Sequence, residues 1–170
     1  DFGTARGDYN ISDSDAFTSS YTIDDGDAVV PAADPLFGNG VRIRAHVLSL
    51  QETHIFSPRV LNTFRGGFSR AGFNFDALEF QNFPSSLSFI PGQPLGGFII
   101  GGGNTTTGLA AITSAGSNNA ANVLNRRNLF TFADTVSISA GRHQISTGVW
   151  FQRMQANENS ASRRLGQATF

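Results

Sequence analysis

Cysteine is absent from the chain, and so is lysine. The first absence excludes disulfide frameworks, thiolate metal sites and cysteine nucleophiles. The second leaves arginine as the only strong base, 12 residues against 13 acidic ones, a compositional bias that gives a net charge of −1. Neither a nucleic-acid footprint nor an acidic tail follows from that balance. Charge is scarce altogether: 15% of residues carry one, against roughly 25% in soluble domains. Long apolar runs are missing too. The longest, such as 98–100, extend over a few residues, whereas a membrane-spanning helix needs about 20. No signal peptide is visible, the chain opens with Asp1 and it closes on Phe170 within an apparent strand. A piece of a longer polypeptide is the expectation from those ends.

What is present is phenylalanine, 16 residues against one tryptophan and two tyrosines. Phenylalanine suits β-strands and lipid-facing barrel surfaces, and equally an ordinary sheet core. Period-two patterning predicts strands over 6–11, 16–23, 41–55, 60–73, 128–138 and 143–155, with a seventh starting at 165. The connections alternate between short and long. Tight turns are predicted at 12–15, 56–59 and 139–142. Longer loops are predicted at 24–40, with four aspartates, two prolines and three glycines, at 74–126, which is rich in Gly, Asn, Ser and Thr, and at 157–163. A short hairpin inside 74–126, pairing 86–90 with 97–100, fits the local pattern. Short turns at one end and long loops at the other are the habit of outer-membrane barrels.

The strands are two-faced. Phe17 and Tyr21 oppose Thr18, Ser20 and Thr22. Phe64 and Phe68 oppose Thr63, Arg65 and Ser69. Phe130 and Phe132 oppose Thr131 and Ala133. Ile145, Val149 and Phe151 oppose Gln144, Ser146, Trp150 and Gln152. The apolar set Phe17, Tyr21, Phe64, Phe68, Phe130, Phe132, Ile145, Val149 and Phe151 is expected to face lipid. The polar set Thr63, Arg65, Ser69, Gln144, Ser146, Trp150 and Gln152 is expected to face a wet lumen, since a dry core would demand a partner for Arg65. Two places resist. In 41–55, Val47, Leu48 and Leu50 do not share a face, so its inward side is not assignable. Asp134 falls on the apolar face of its strand, a conflict that a bulge or a soluble sheet would remove.

Catalytic and ligand signatures are sparse. Asp1-Phe2-Gly3 matches a kinase tripeptide without the loops that give it meaning. The glycines at 101–103 lack dinucleotide-binding spacing. His46, His54 and His143 are isolated in sequence, which argues against a metal site. Asp24, Asp25 and Asp27 form the best acidic cluster and are weak calcium candidates, lacking EF-hand spacing. No nucleophile elbow appears, so no enzyme, no catalytic residue and no cofactor is expected.

Three motifs carry a family likeness. Arg6-Gly-Asp-Tyr-Asn-Ile-Ser-Asp-Ser-Asp15 resembles the strand–turn that opens barrel hairpins in TonB-dependent outer-membrane receptors, specifically the Oar-like group with a carboxypeptidase-regulatory-like N-terminal domain. Thr53-His-Ile-Phe-Ser-Pro58, followed by Leu61-Asn62 and Phe64-Arg65, resembles their next periplasmic turn. Asn128-Leu-Phe-Thr-Phe-Ala-Asp-Thr135 and Gly141-Arg-His-Gln-Ile-Ser-Thr-Gly148 resemble a third hairpin. The likeness covers the hairpins and about half the chain.

The resemblance implies a bacterial outer-membrane protein. Residues 1–170 would form part of one transmembrane β-barrel domain, an open curved antiparallel meander of about six or seven strands with long extracellular loops. The plug and the TonB-contacting region would lie outside the chain. The implied partners are outer-membrane lipid, TonB through that N-terminal region, and a small-molecule or oligomeric nutrient at the outer loops, with no nucleic acid. The alternatives are a secreted β-rich adhesion or carbohydrate-binding module and a passive porin-type channel.

Overall fold

In the computed structural model, residues 1–101, 112–117, 123–161 and 163–170 are described. Turn chemistry sets the frame. β1 (Phe2–Asn10) and β2 (Asp15–Pro31) flank a loop in which Ser14 N–H donates to Ser12 Oγ. β3 (Phe37–Ser57) and β4 (Val60–Glu79) are joined through Pro58 and Arg59, where proline's fixed φ suits the turn and its missing N–H goes unneeded. After β5 (Gly97–Ile100) and β6 (Thr113–Gly116), the pair β7 (Val123–Ala140) and β8 (His143–Asn159) is joined through Gly141 and Arg142. Gly141 has φ +61°, the left-handed value that a II′ hairpin places at its first central residue. β9 (Gln167–Thr169) closes the element order, and one 3₁₀ turn spans Ser85–Leu87. No helix among the described residues is long and apolar enough to cross a membrane.

The long strands form a six-stranded sheet in the order β1-β2-β3-β4-β7-β8. It is an antiparallel meander, so successive connections leave from alternate ends. The three tight turns share one end; connections 32–36, 80–122 and 160–166 share the other. The order is linear and leaves β1 and β8 as edges. β5 lies between β6 and β9 in a separate three-stranded sheet, antiparallel to β6 (Phe98↔Ala115) and parallel to β9 (Phe98↔Ala168).

Several sequence expectations change here. Most of 24–40 is strand, because β2 runs to Pro31 and β3 begins at Phe37. Ladder pairing holds the aspartates extended: Phe2 opposes Asp24, and Asp25 N–H donates to Asp1 O. Tertiary pairing thus overrides local turn preference. The connection expected over 74–126 is shortened at both ends, since β4 reaches Glu79 and β7 starts at Val123. Within it 97–100 pairs with 113–116 rather than with 86–90. β8 continues to Asn159 through the start of the loop expected at 157–163. The C-terminal strand joins β5 in the small sheet and does not extend the meander. Gly102 and Gly103 lie outside the described residues, as does the N-glycosylation pattern at Asn104-Thr-Thr106.

The chain divides into two compact units. The first comprises Asp1–Asp25, Arg44–Gly72 and Arg126–Asn157; the second comprises Gly26–Ile43, Phe73–Asn125 and Glu158–Phe170. They are built differently. Among the described residues the buried apolar side chains are Phe37, Leu95 and Leu165, all in the second unit. There Phe37 stacks on Phe83 with ring centroids 5.0 Å apart, and Leu95 N–H donates to the Glu79 carboxylate. The first unit is a sheet without a buried apolar core.

Candidate functional site

Cross-strand contacts decide which side chains of the first unit share a face. The β1–β2 register sets Tyr9 opposite Phe17 and Ala5 opposite Tyr21 on one side, with Asp8 opposite Thr18 and Arg6 opposite Ser20 on the other. Tyr21 Oη and His46 Nδ1 hydrogen-bond at 2.7 Å, and Arg44 pairs with Asp25 at 3.3 Å. Those contacts bring the even-numbered residues of β3, Leu48 and Leu50 included, to the side of Tyr21. The inward–outward ambiguity of 41–55 is thereby settled as two defined faces. Across β4 and β7, the Phe68 and Phe130 rings lie 5.0 Å apart. Asn128 Nδ2 donates to Gln155 Oε1 at 3.5 Å, which adds the odd-numbered residues of β8.

One side therefore carries Phe17, Tyr21, Phe64, Phe68, Phe130, Phe132, Ile145, Val149 and Phe151 together. Much of it is bare: Val149 is 75% exposed and Phe151 61%. Asp134 does sit on this side, and no bulge is needed. Asn62 Nδ2 donates to Asp134 Oδ1 at 2.8 Å and to Thr135 O at 3.3 Å, pairing one polar group with another across the strands. Near the tight turns the same side becomes polar. Asp15 opens β2, His54 contacts Asp15, and ligand atoms of Asp15, Glu52 and His54 all lie within 4.8 Å of one another. Such a mixed imidazole–carboxylate set has the donor chemistry for a divalent transition metal. Sequence reasoning missed it because Asp15 reads as a turn residue and joins His54 only through β2–β3 pairing.

The opposite side holds Thr63, Arg65, Ser69, Gln144, Ser146, Trp150 and Gln152. Arg6 donates from Nε to Asp8 Oδ2 and from Nη2 to Oδ1, each at 3.0 Å, and Thr18 Oγ1 donates to Asp8 at 2.8 Å. Arg65 Nε donates to Gln51 Oε1 at 3.0 Å, and Ser137 and Ser146 approach at 3.4 Å. Around Arg65 lies a groove of about 320 Å³, lined by Thr18, Ser20, Ser49, Gln51, Gly67 and Thr131 among others. A Cβ on Gly67 would fall 2.4 Å from Thr131 Oγ1, so glycine keeps the groove floor low. Arg65 has no carboxylate partner among the described residues. Hydroxyls, amides, the Arg6 and Arg65 guanidiniums and the Asp8 carboxylate make this a wettable surface.

The calcium candidates Asp24, Asp25 and Asp27 are not gathered. Extended backbone sends Asp24 to the side opposite Asp25 and Asp27, and Arg44 takes Asp25. The group with metal-holding geometry among the described residues is instead Asp15, Glu52 and His54.

The second unit contains a recess of about 380 Å³. Its lining comes from the β2–β3 connection (Ala32, Ala33, Asp34), from Asn39 of β3, from β5, and from Ser114 to Ser117 at β6. It is half apolar and half polar in character, with Phe98 and Ile99 beside Asp34, Asn39 and the serines.

A family model described as an outer membrane beta barrel domain matches residues 1–170. The chain belongs to this outer membrane β-barrel family. Its place is the bacterial outer membrane, and its strands suit that setting. Each of β2, β3, β4, β7 and β8 has 17 to 21 residues, where about 9 to 11 tilted residues cross the hydrocarbon. Neither the curated proteins nor the solved structures contain a match to the barrel chain.

Proposed function

We propose that the chain forms part of the wall and outer mouth of a TonB-dependent receptor that actively takes up a nutrient. The observation that carries this reading is the coreless, two-faced sheet of the first unit. A soluble sheet would cover its phenyl-bearing side; here Tyr21, Phe64, Phe132, Ile145, Val149 and Phe151 on that side stay exposed. In this reading Phe64, Phe68, Phe130, Val149 and Phe151 face acyl chains. Arg65, Gln144, Ser146 and Gln152 line the lumen or meet a plug. The polar fringe at Asp15, Glu52 and His54 lies at the headgroup level by the periplasmic turns.

Support for active uptake comes from two further features. The three hairpin motifs resemble TonB-dependent receptors in order and turn length. The second unit has its own small core and recess, which suits capture of a solute. TonB would engage through sequence N-terminal to this barrel segment.

The test is uptake in isogenic strains. Accumulation of the cognate solute should depend on this protein and disappear when TonB is deleted. Accumulation that persists unchanged without TonB would favour a passive channel and end this proposal.

A further inference from the structure

We infer that the recess of the second unit binds a neutral, hydroxyl-rich solute of the saccharide class; this deepens the uptake reading and rests on it for its physiological meaning. Two orphaned polar atoms point to a ligand. Ser117 is only 3% exposed, lines the recess, and its Oγ has no hydrogen-bond partner among the described residues. Asn39 lines the same recess, and its Oδ1 is buried and also unpartnered. Buried polar atoms are nearly always satisfied in folded proteins, and leaving one unmade is costly. Two at one cavity mark a place where polar groups from outside complete the set.

The lining selects the chemistry. Asp34 Oδ1 accepts from Leu36 N–H at 3.0 Å, and its second oxygen has no partner among the described residues. Asn39 Oδ1 and that oxygen are both acceptors, so the ligand must donate. The Ser117 hydroxyl both donates and accepts. No arginine or histidine lines the recess, and Asp34 repels negative charge; anionic ligands are disfavoured. Ala32, Ala33, Ala115 and Phe98 supply apolar surface for C–H faces. Hydroxyls that donate and accept around an otherwise apolar ring satisfy all of these demands. A volume of about 380 Å³ lies at the small end of ligand pockets, which suits one or two sugar rings. The backbone register Phe98↔Ala115 and Ile99↔Ser114 holds β5 and β6 as one wall.

The experiment is calorimetric titration of the purified protein in detergent micelles with glucose and maltose, against gluconate and glucosamine as size-matched anionic and cationic probes. A neutral sugar should bind saturably, with gluconate at least about tenfold weaker, the value of one lost hydrogen bond at the upper end of its range. Ser117→Ala and Asn39→Ala should each weaken sugar binding about tenfold. Ser117→Ala deletes an unpaired hydroxyl, so without sugar its melting temperature should not fall; a fall would mean that the hydroxyl serves the fold and would overturn the assignment. Absence of saturable sugar binding would overturn it too, as would unchanged affinity in both variants or preference for gluconate or glucosamine. Accumulation without TonB, with micellar sugar binding intact, would sink the receptor reading alone. TonB-dependent accumulation without sugar binding would sink the recess assignment alone.

Discussion

The two units of this chain solve the same problem in opposite ways. The second buries Phe37, Leu95 and Leu165 and gathers connections around them. The first buries no apolar side chain and sorts its residues onto two faces of one sheet. A water-surrounded sheet gains little from a face like that, since hydrophobic stabilisation scales with apolar area removed from water. The difference teaches that the solvent assumed for each unit is different. The second carries its own interior, whereas the first relies on an apolar medium outside the chain.

Core truncation should separate the units most strongly. Phe37→Ala removes a ring that is 3% exposed and stacked on Phe83. It should destabilise the second unit by about 3–5 kcal/mol. Limited proteolysis should then cut within 80–122 while the heat-modifiable barrel band persists. Simultaneous loss of that band would mean that the units do not respond separately.

Phe68→Arg comes next. With the phenyl-bearing side facing lipid as proposed, an arginine there costs up to about 4 kcal/mol, most at the bilayer midplane. Outer-membrane assembly, read by heat-modifiable electrophoretic mobility, should fall sharply. Ser146→Arg on the other side should assemble normally. Equal behaviour of the two would break the two-faced reading.

Asn62→Ala should cost about 1–3 kcal/mol by leaving Asp134 without its donor on the apolar side. Asn62→Ala combined with Asp134→Leu should recover much of that loss in urea midpoint, because neither polar group is then left unpaired. The smallest effect belongs to Arg65→Gln. This arginine is exposed and touches Gln51 without an ion pair, so stability should change by no more than about 0.5 kcal/mol. With Arg65 lining the lumen as proposed, ion selectivity in planar bilayers should shift toward cations as its positive charge disappears.

Legibility followed the range of the interactions. The three tight turns were readable, because Pro58, Gly141 and the Ser/Asp run at 12–15 act locally. The two faces of β4, β7 and β8 were readable as well, since alternation is a property of consecutive residues. The pairing of Asp134 with Asn62, 72 residues away, was not. Nor was the strand character of 24–31, where the sequence Asp-Asp-Gly-Asp reads as a loop until β1 and β3 supply partners. His54 looked isolated until β2 brought Asp15 beside it. The orphaned Ser117 and Asn39 carry no sequence signal at all, because a missing partner is visible only once every neighbour is placed.

By itself the amino-acid sequence determined where this chain turns and that its hairpins separate phenylalanine from serine, threonine and arginine, for those are consequences of neighbouring residues and of backbone alternation. Tertiary structure alone decided how far the strands run, which face β3 shares with Tyr21, and that β5 pairs with β9 in parallel. Those outcomes depend on hydrogen-bond ladders between segments far apart in the chain, whose energies exceed any local preference.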